Sequence, residues 1–271
     1  MKIGNEAKKY LNDNKNLEKL LLLEKKRRGI AKDNICFVAT ANIAGYWYCG
    51  MKSYYKGRRD ELLFFRAYLI DRINCSKKLG LIEDLPEDKE KWLDIGNGIS
   101  FKDINKLLKE RKEYIIECID DRDTKSVKDK FERGILYQYK LAEKYPSIRW
   151  NFKWDKYVVI AVPDGITDDF VYEFKSTASR FLLFFVKPVA LTQAGLYGYF
   201  YKRKNKRVQI YLENERKIET YEDKVDINRA LDTLKLFKKV EIDKKSIKPK
   251  KRWKCNNCEF GNICILINEN H

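Results

Sequence analysis

Asp164, Glu173 and Lys175 are the residues whose types and spacing most directly suggest chemistry. Asp164 lies in Val162-Pro163-Asp164-Gly165-Ile166, where an apolar run gives way to a turn. Glu173 and Lys175 stand two apart in Val171-Tyr172-Glu173-Phe174-Lys175, a stretch of strand composition, so both leave the same face. A hairpin between the two runs brings Asp164 beside Glu173. Two converging carboxylates repel, and one pKa rises unless a divalent cation neutralises them. Oxygen ligands with open water positions suit Mg2+ or Mn2+. Such a cation activates water and stabilises charge building on a phosphorus centre, and Lys175 is placed to position or deprotonate that water. The bare spacing is a weak signal, because charges at strand ends are common. An ionic pair flanking Phe174 on an otherwise apolar strand needs a reason, since unpaired buried charge is costly.

The cysteines carry a second signal. Of seven, Cys36, Cys75 and Cys118 sit in apolar surroundings that suit small buried side chains. Cys255, Cys258 and Cys264 form C-x2-C-x5-C, three thiols within ten residues and a glycine, Gly261, for the turn. That is metal-ligand spacing, completed by a fourth thiolate, for which Cys49 in Gly45-Tyr46-Trp47-Tyr48-Cys49-Gly50 is the best candidate. Spacing does not choose between Zn2+ and an iron–sulfur cluster. Either way, Cys49 and the tail close a loop of about two hundred residues, so that ligation is partly folding energy. The odd cysteine count argues against a disulfide framework.

The elements that must hold these groups follow from periodicity. Glu6 to Arg28 reads as one helix with a leucine stripe, capped by Gly29, and Thr40 caps a short second helix. Further helices are expected from Arg58 to Lys78, Ser100 to Cys118 and Val127 to Lys144, with a loop over Leu81 to Gly98. Three strands then follow, Ile148 to Trp154, Tyr157 to Val162 and Phe170 to Lys175. Val189 to Lys202 returns to helix, Val208 to Glu213 and Ile218 to Tyr221 form a hairpin, and Asp226 to Val240 is an amphipathic helix. The class is α/β, with a helical N-terminal half and a basic C-terminal cysteine region.

Composition narrows the function. The 271 residues hold 57 Lys+Arg against 40 Asp+Glu, a net +17, which implies an anionic partner, most commonly nucleic acid. The one histidine is His271, which excludes histidine triads and multi-histidine metal sites. No apolar run approaches the ~20 residues that span a bilayer; Leu20–Leu23 and Phe181–Val186 are short and flanked by cations. No signal-peptide core opens the chain. The expectation is a cytoplasmic protein with no membrane association.

Taken together, these motifs resemble the PD-(D/E)xK nucleases of the RecB type. The resemblance is to the iron–sulfur branch that holds the CRISPR-associated RecB-like exonucleases and the nuclease domains of replication helicase-nucleases. Pro163-Asp164 and Glu173-x-Lys175 match the metal-binding core, Gln193-Ala194-Gly195-Leu196-Tyr197 matches the Q-x3-Y helix, and Cys49 with Cys255, Cys258 and Cys264 matches the one-plus-three cluster pattern. The match covers about Ala41–Ser53 and Phe131–Cys264. It implies a restriction-endonuclease-like central mixed sheet flanked by helices. It also implies that Asp164 and Glu173 hold Mg2+ or Mn2+, with the Phe174 carbonyl as a further candidate ligand. Lys175 becomes catalytic, Gln193 and Tyr197 line a DNA groove, and the four cysteines hold a [4Fe–4S] cluster, with Zn2+ the alternative. The family's upstream G-x3-H ends in a metal-binding histidine. Here Gly134 is followed at that spacing by Gln138, whose amide oxygen still suits a hard cation but binds transition metals less well than imidazole. Glu132 is a further candidate to face the site.

Seven cations fall in Lys244–Lys254, and Lys250, Lys251 and Arg252 precede Trp253, a candidate strip for nucleic-acid backbone with a ring to stack on a base. The expected organisation is residues 1–57 as N-terminal helices supplying one cluster cysteine, 58–130 as a helical insert, 131–242 as the nuclease core and 243–271 as the basic cysteine tail. The expected function is a metal-dependent DNA exonuclease acting on single strands or ends. By resemblance alone it prepares DNA for CRISPR spacer acquisition beside an integrase complex, with oligomer formation left open. The alternatives are a repair nuclease of the same fold and a non-catalytic DNA-binding module with a structural cluster.

Overall fold

A computed structural model describes residues 2–111, 130–243, 253–256 and 258–264. In chain order the elements are α1 (Lys2–Asn12), α2 (Asn14–Arg27), β1 (Phe37–Ala39), α3 (Thr40–Ala44), α4 (Gly50–Lys78), α5 (Phe101–Arg111), α6 (Lys130–Leu141), β2 (Trp150–Trp154), β3 (Tyr157–Ala161), β4 (Gly165–Ile166), β5 (Phe170–Thr177), α7 (Arg180–Tyr201), β6 (Asn205–Leu212), β7 (Lys217–Lys224), α8 (Ile227–Ile242) and α9 (Trp253–Asn256). The chain is α/β, with mixed sheets flanked by helices. Seven strands among the described residues form two sheets, β1-β3-β2 and β4-β5-β6-β7, where one central sheet was expected.

Two compact units result, and they do not follow the linear division read from the sequence. One comprises 1–39, 56–108 and 149–161; the other comprises 40–55, 109–148 and 162–271. The reason is strand pairing across long sequence separations: β1 runs parallel to β3 with Phe37 opposite Val158, which draws 149–161 away from the rest of the C-terminal half. Of the segment 58–130 expected as a helical insert, residues 58–108 group with residues 1–39 in the first unit.

In the first unit, α1 and α2 are distinct helices because Asp13 interrupts them and its carboxylate accepts from Lys15 N at 2.9 Å as the cap of α2. Leu17, Leu20, Phe37, Phe65, Tyr68, Trp92, Val158 and Ile160 form its core. A buried ion pair crosses that unit, Lys25 Nζ to Glu61 Oε2 at 2.8 Å. It is fully engaged: Lys25 also donates to the Lys32 and Asn34 carbonyls, and Glu61 Oε1 accepts from Cys36 N. That pair anchors the entry to β1.

In the second unit, β5 pairs antiparallel with β4 and parallel with β6, while β6 and β7 form the expected hairpin. The parallel pair needs a crossover, and α7 supplies it, packing on β5 and β6 through Leu183, Ala190 and Ala194 against Val208, Ile210 and Leu212. Helix α6 packs on β5, and α3 and α8 pack on α7. Asp226 caps α8 by accepting from Arg229 N at 2.9 Å. Helix α7 begins nine residues earlier than periodicity suggests, with Pro188 inside it. Its 22 residues are long and apolar enough, by length and composition, to cross a bilayer, contrary to the sequence expectation; half of the apolar window is buried within the fold. Lys187, Thr192 and Gln193 break the helix into short apolar runs, so its apolar character shows only as an average.

Candidate functional site: a carboxylate pair and four thiols

Strand β5 builds the carboxylate site. Alternation sends Tyr172 and Phe174 to one face and Glu173 and Lys175 to the other. Register places Gly165 opposite Tyr172, so Asp164, one residue before Gly165, stands beside Glu173, as the spacing predicts. Gly165 is required there, because a Cβ would lie 2.5 Å from the Tyr145 Cβ. Asp164 is held from two directions: Phe174 N donates to Oδ2 at 2.7 Å, and the Gln138 amide of α6 donates to Oδ1 at 2.6 Å. Gln138 thus reaches the site from α6 as a donor to the carboxylate.

Glu173 is only 1% exposed. Its Oε1 ion-pairs with Lys175 Nζ, and Oε2 has no hydrogen-bond partner among the described residues. Burial, then the Asp164 charge, push its pKa up to about 8 against the opposing pull of Lys175. Burial also raises the Asp164 pKa, with Lys175, Phe174 N and Gln138 resisting. Burial alone depresses Lys175, but the two carboxylates outweigh it and keep the ammonium above its ordinary value. A buried acid without its full set of partners is expensive, and this donor set fits a hard divalent cation.

Gln193 and Tyr197 do not line an open groove. They are 5% and 2% exposed, and the Gln193 amide donates to the Tyr197 hydroxyl at 2.8 Å. They lie on the buried side of α7, where Tyr197 feels the Glu173 and Asp164 charges and forms a side-chain hydrogen bond with Thr40. Together with its burial, these surroundings raise its pKa well above the ordinary value. Thr40, itself 1% exposed, was read only as a helix cap; nothing in its spacing signals contact with Tyr197. Glu132 is exposed, as expected of a solvated helix glutamate.

The second constellation joins the start of α4 to the tail. Cys49 directly precedes α4, Cys255 lies in α9, and Cys258 and Cys264 bracket a tight 3-10 turn over Gly261–Ile263. Backbone bonds shape that hairpin: Cys258 N to Cys255 O at 3.0 Å, Gly261 N to Cys258 O at 2.9 Å and Cys264 N to Gly261 O at 3.3 Å. Three contacts fix it to the N-terminal end of α4: Tyr55 donates to the Ile263 carbonyl at 2.9 Å, its ring stacks on Phe260 at 5.7 Å, and Lys52 pairs with Glu259 at 3.3 Å. The Cys255 thiol pKa is raised by burial and then by Cys49, Cys264 and Cys258, so the four thiols lie within electrostatic reach of one another. Four thiols cannot ionise together without positive charge among them, which suits a metal or a cluster. As placed, no three His, Cys, Asp or Glu side chains among the described residues are grouped to hold a metal ion. The described cysteines form no disulfide. Lys250, Lys251, Arg252, Cys118 and His271 lie outside the described residues; Trp253 opens α9.

No protein-family profile matches the chain. No curated protein matches it either. One similar solved structure, the crystal structure of SSO0001, aligns over 92% of this chain and 96% of its own at 11% identity, with a TM-score of 0.39.

Proposed function

We propose that the protein is a metal-dependent DNA nuclease of the PD-(D/E)xK type, with a restriction-endonuclease-like core, that hydrolyses single strands or strand ends. The observation that carries this reading is the buried Glu173 carboxylate beside Asp164, with Oε2 unpartnered and its pKa raised to about 8. Asp164 and Glu173 would hold Mg2+ or Mn2+. What a bound cation supplies there is a water of lowered pKa and charge stabilisation at the phosphorus.

The chain's own residues do the rest. Phe174 N and the Gln138 amide orient Asp164. Lys175, about a third exposed, points its ammonium into the site and neutralises charge that builds on the phosphate. The two carboxylates keep Lys175 protonated, so Nζ serves as a donor that positions the attacking water. Tyr197, fixed by Gln193 and Thr40, walls the carboxylates from the core side.

Cys49, Cys255, Cys258 and Cys264 would hold a [4Fe–4S] cluster, or Zn2+ in its place, with a structural role. Work in the cytoplasm on DNA destined for CRISPR arrays, alongside an integrase complex, belongs to the same proposal and rests on the sequence resemblance. One observation favours the non-catalytic alternative: both Asp164 oxygens are already occupied by protein donors. Cleavage of end-labelled single-stranded DNA separates the two. The nuclease cuts with Mg2+ or Mn2+ and loses at least ~100-fold in Asp164→Ala or Lys175→Ala; a chain that binds DNA but cuts with no metal is the binding module.

A further inference from the structure

The N-terminal half of α7 carries an exposed aromatic strip. The helix buries Leu183, Ala190 and Ala194 against β6. Phe181 and Phe184, three apart on another face, are 67% and 75% exposed, although phenylalanine is ordinarily buried. Both rings pack edge-on against Phe185, at 5.6 and 5.5 Å, which makes one continuous strip of three rings.

Cations are seated on and beside that strip. Lys254 Nζ lies 4.4 Å from the Phe185 ring centre and 4.0 Å from that of Tyr48, and it donates to the Tyr48 carbonyl at 3.2 Å. Lys187, later in α7, lies 3.8 Å over the Tyr221 ring. The carboxylates beside Arg180, Glu215 and Glu219, are both engaged in pairing with it. The strip therefore runs from the cysteine hairpin along α7, and Phe181 follows Lys175 by six residues.

From these observations we infer that Phe181 and Phe184 are a stacking platform for the bases of single-stranded nucleic acid, with Lys254 and Lys187 drawing in its backbone. Flat rings interleaved with cations, on a chain of net +17, match a polyanion whose π faces are open. Duplex DNA keeps its bases stacked internally and cannot use the rings. A lipid surface or protein partner asks for a broader apolar face than this strip offers. The platform rests on the nucleic-acid reading above and deepens it by naming the strand form and the residues that hold it.

The test is fluorescence anisotropy of a labelled oligo(dT) in EDTA, where binding is read without cleavage. Phe181→Ala/Phe184→Ala weakens oligo(dT) binding by ~10- to 100-fold and leaves a blunt hairpin duplex within about 3-fold. Phe184→Trp retains the single-strand affinity while Phe184→Leu loses it, which separates stacking from apolar contact. Unchanged oligo(dT) affinity in the double variant overturns the platform, as does equal loss on the duplex, or rescue by leucine equal to that by tryptophan. Binding of the wild type to anionic phosphatidylglycerol vesicles, or self-association in sedimentation, that disappears in the double variant while DNA binding persists assigns the strip to a membrane or a second copy and also overturns it. The two readings fail separately: a ring-dependent binder that never cuts leaves the platform standing without the nuclease, and a nuclease indifferent to the rings leaves the reverse.

Discussion

The carboxylate site and the cysteine site both crowd acidic groups together, yet they are assembled in opposite ways. Asp164 and Glu173 come from adjoining strands, and the sheet ladder holds them whether or not anything is bound. Cys49 and Cys255 are separated by most of the chain, and three contacts at Tyr55, Phe260 and Lys52 secure the hairpin. Under the proposed function the carboxylates are preorganised at the expense of stability, whereas the thiols would gain stability from a bound ligand. Substitutions should therefore separate cleanly: at the first site they remove activity and spare the fold, and at the second they remove stability.

The largest expected effect is on catalysis. Lys175→Ala and Asp164→Ala lower the single-turnover cleavage rate by ~100-fold or more, with a smaller loss of melting temperature than the cysteine variant; a melt lowered as much as in the cysteine variant would erase the contrast. Next comes Cys255→Ala, which removes ligation energy coupled to folding and lowers Tm by about 10 °C or more, together with the visible absorbance of an iron–sulfur cluster. Stoichiometric zinc with no such absorbance would keep the contrast and change the metal.

A smaller effect concerns pH. The Glu173 pKa stands at about 8 in the fold against 4.5 as its ordinary value. Between those values the native state holds a proton that the unfolded chain has released, so metal-free stability falls as pH rises from about 5 to about 8. Asp164 is shifted in the same direction, while Lys175 stays charged across this window. Glu173→Gln should flatten most of that slope in urea titrations; an unaltered slope would place the proton elsewhere. The smallest effect is at Gly165, where alanine would press on Tyr145. It should cost roughly 1–3 kcal/mol in chemical denaturation and reduce cleavage by displacing Asp164.

How much of this was legible follows from range. The pairing of Asp164 with Glu173 was legible because a short hairpin fixes it and alternation along one strand fixes Lys175. The division into two units was not, because it depends on Phe37 meeting Val158 across the chain. The early start of α7 was not legible either: Pro188 inside it removes only the bond to the Phe184 carbonyl, and packing on β5 and β6 carries the helix through it. Gln193 and Tyr197 were visible as a motif, but their burial depends on which face of α7 meets the sheet and α3. Thr40 and Gly165 have no periodic signature, since their roles rest on close approach by Tyr197 and Tyr145. The same holds for the rings of Phe181 and Phe184, whose exposure depends on which face of α7 meets the sheet.

The most direct test of the central claim, that the buried Glu173 and Asp164 await a divalent cation, is titration of the protein with Mn2+ followed by electron paramagnetic resonance at pH 8. A Mn2+ site is expected in the wild type and is lost in Glu173→Gln, with the folded state unchanged by circular dichroism. Equal binding by wild type and Glu173→Gln, or no binding by either at millimolar Mn2+, would contradict it.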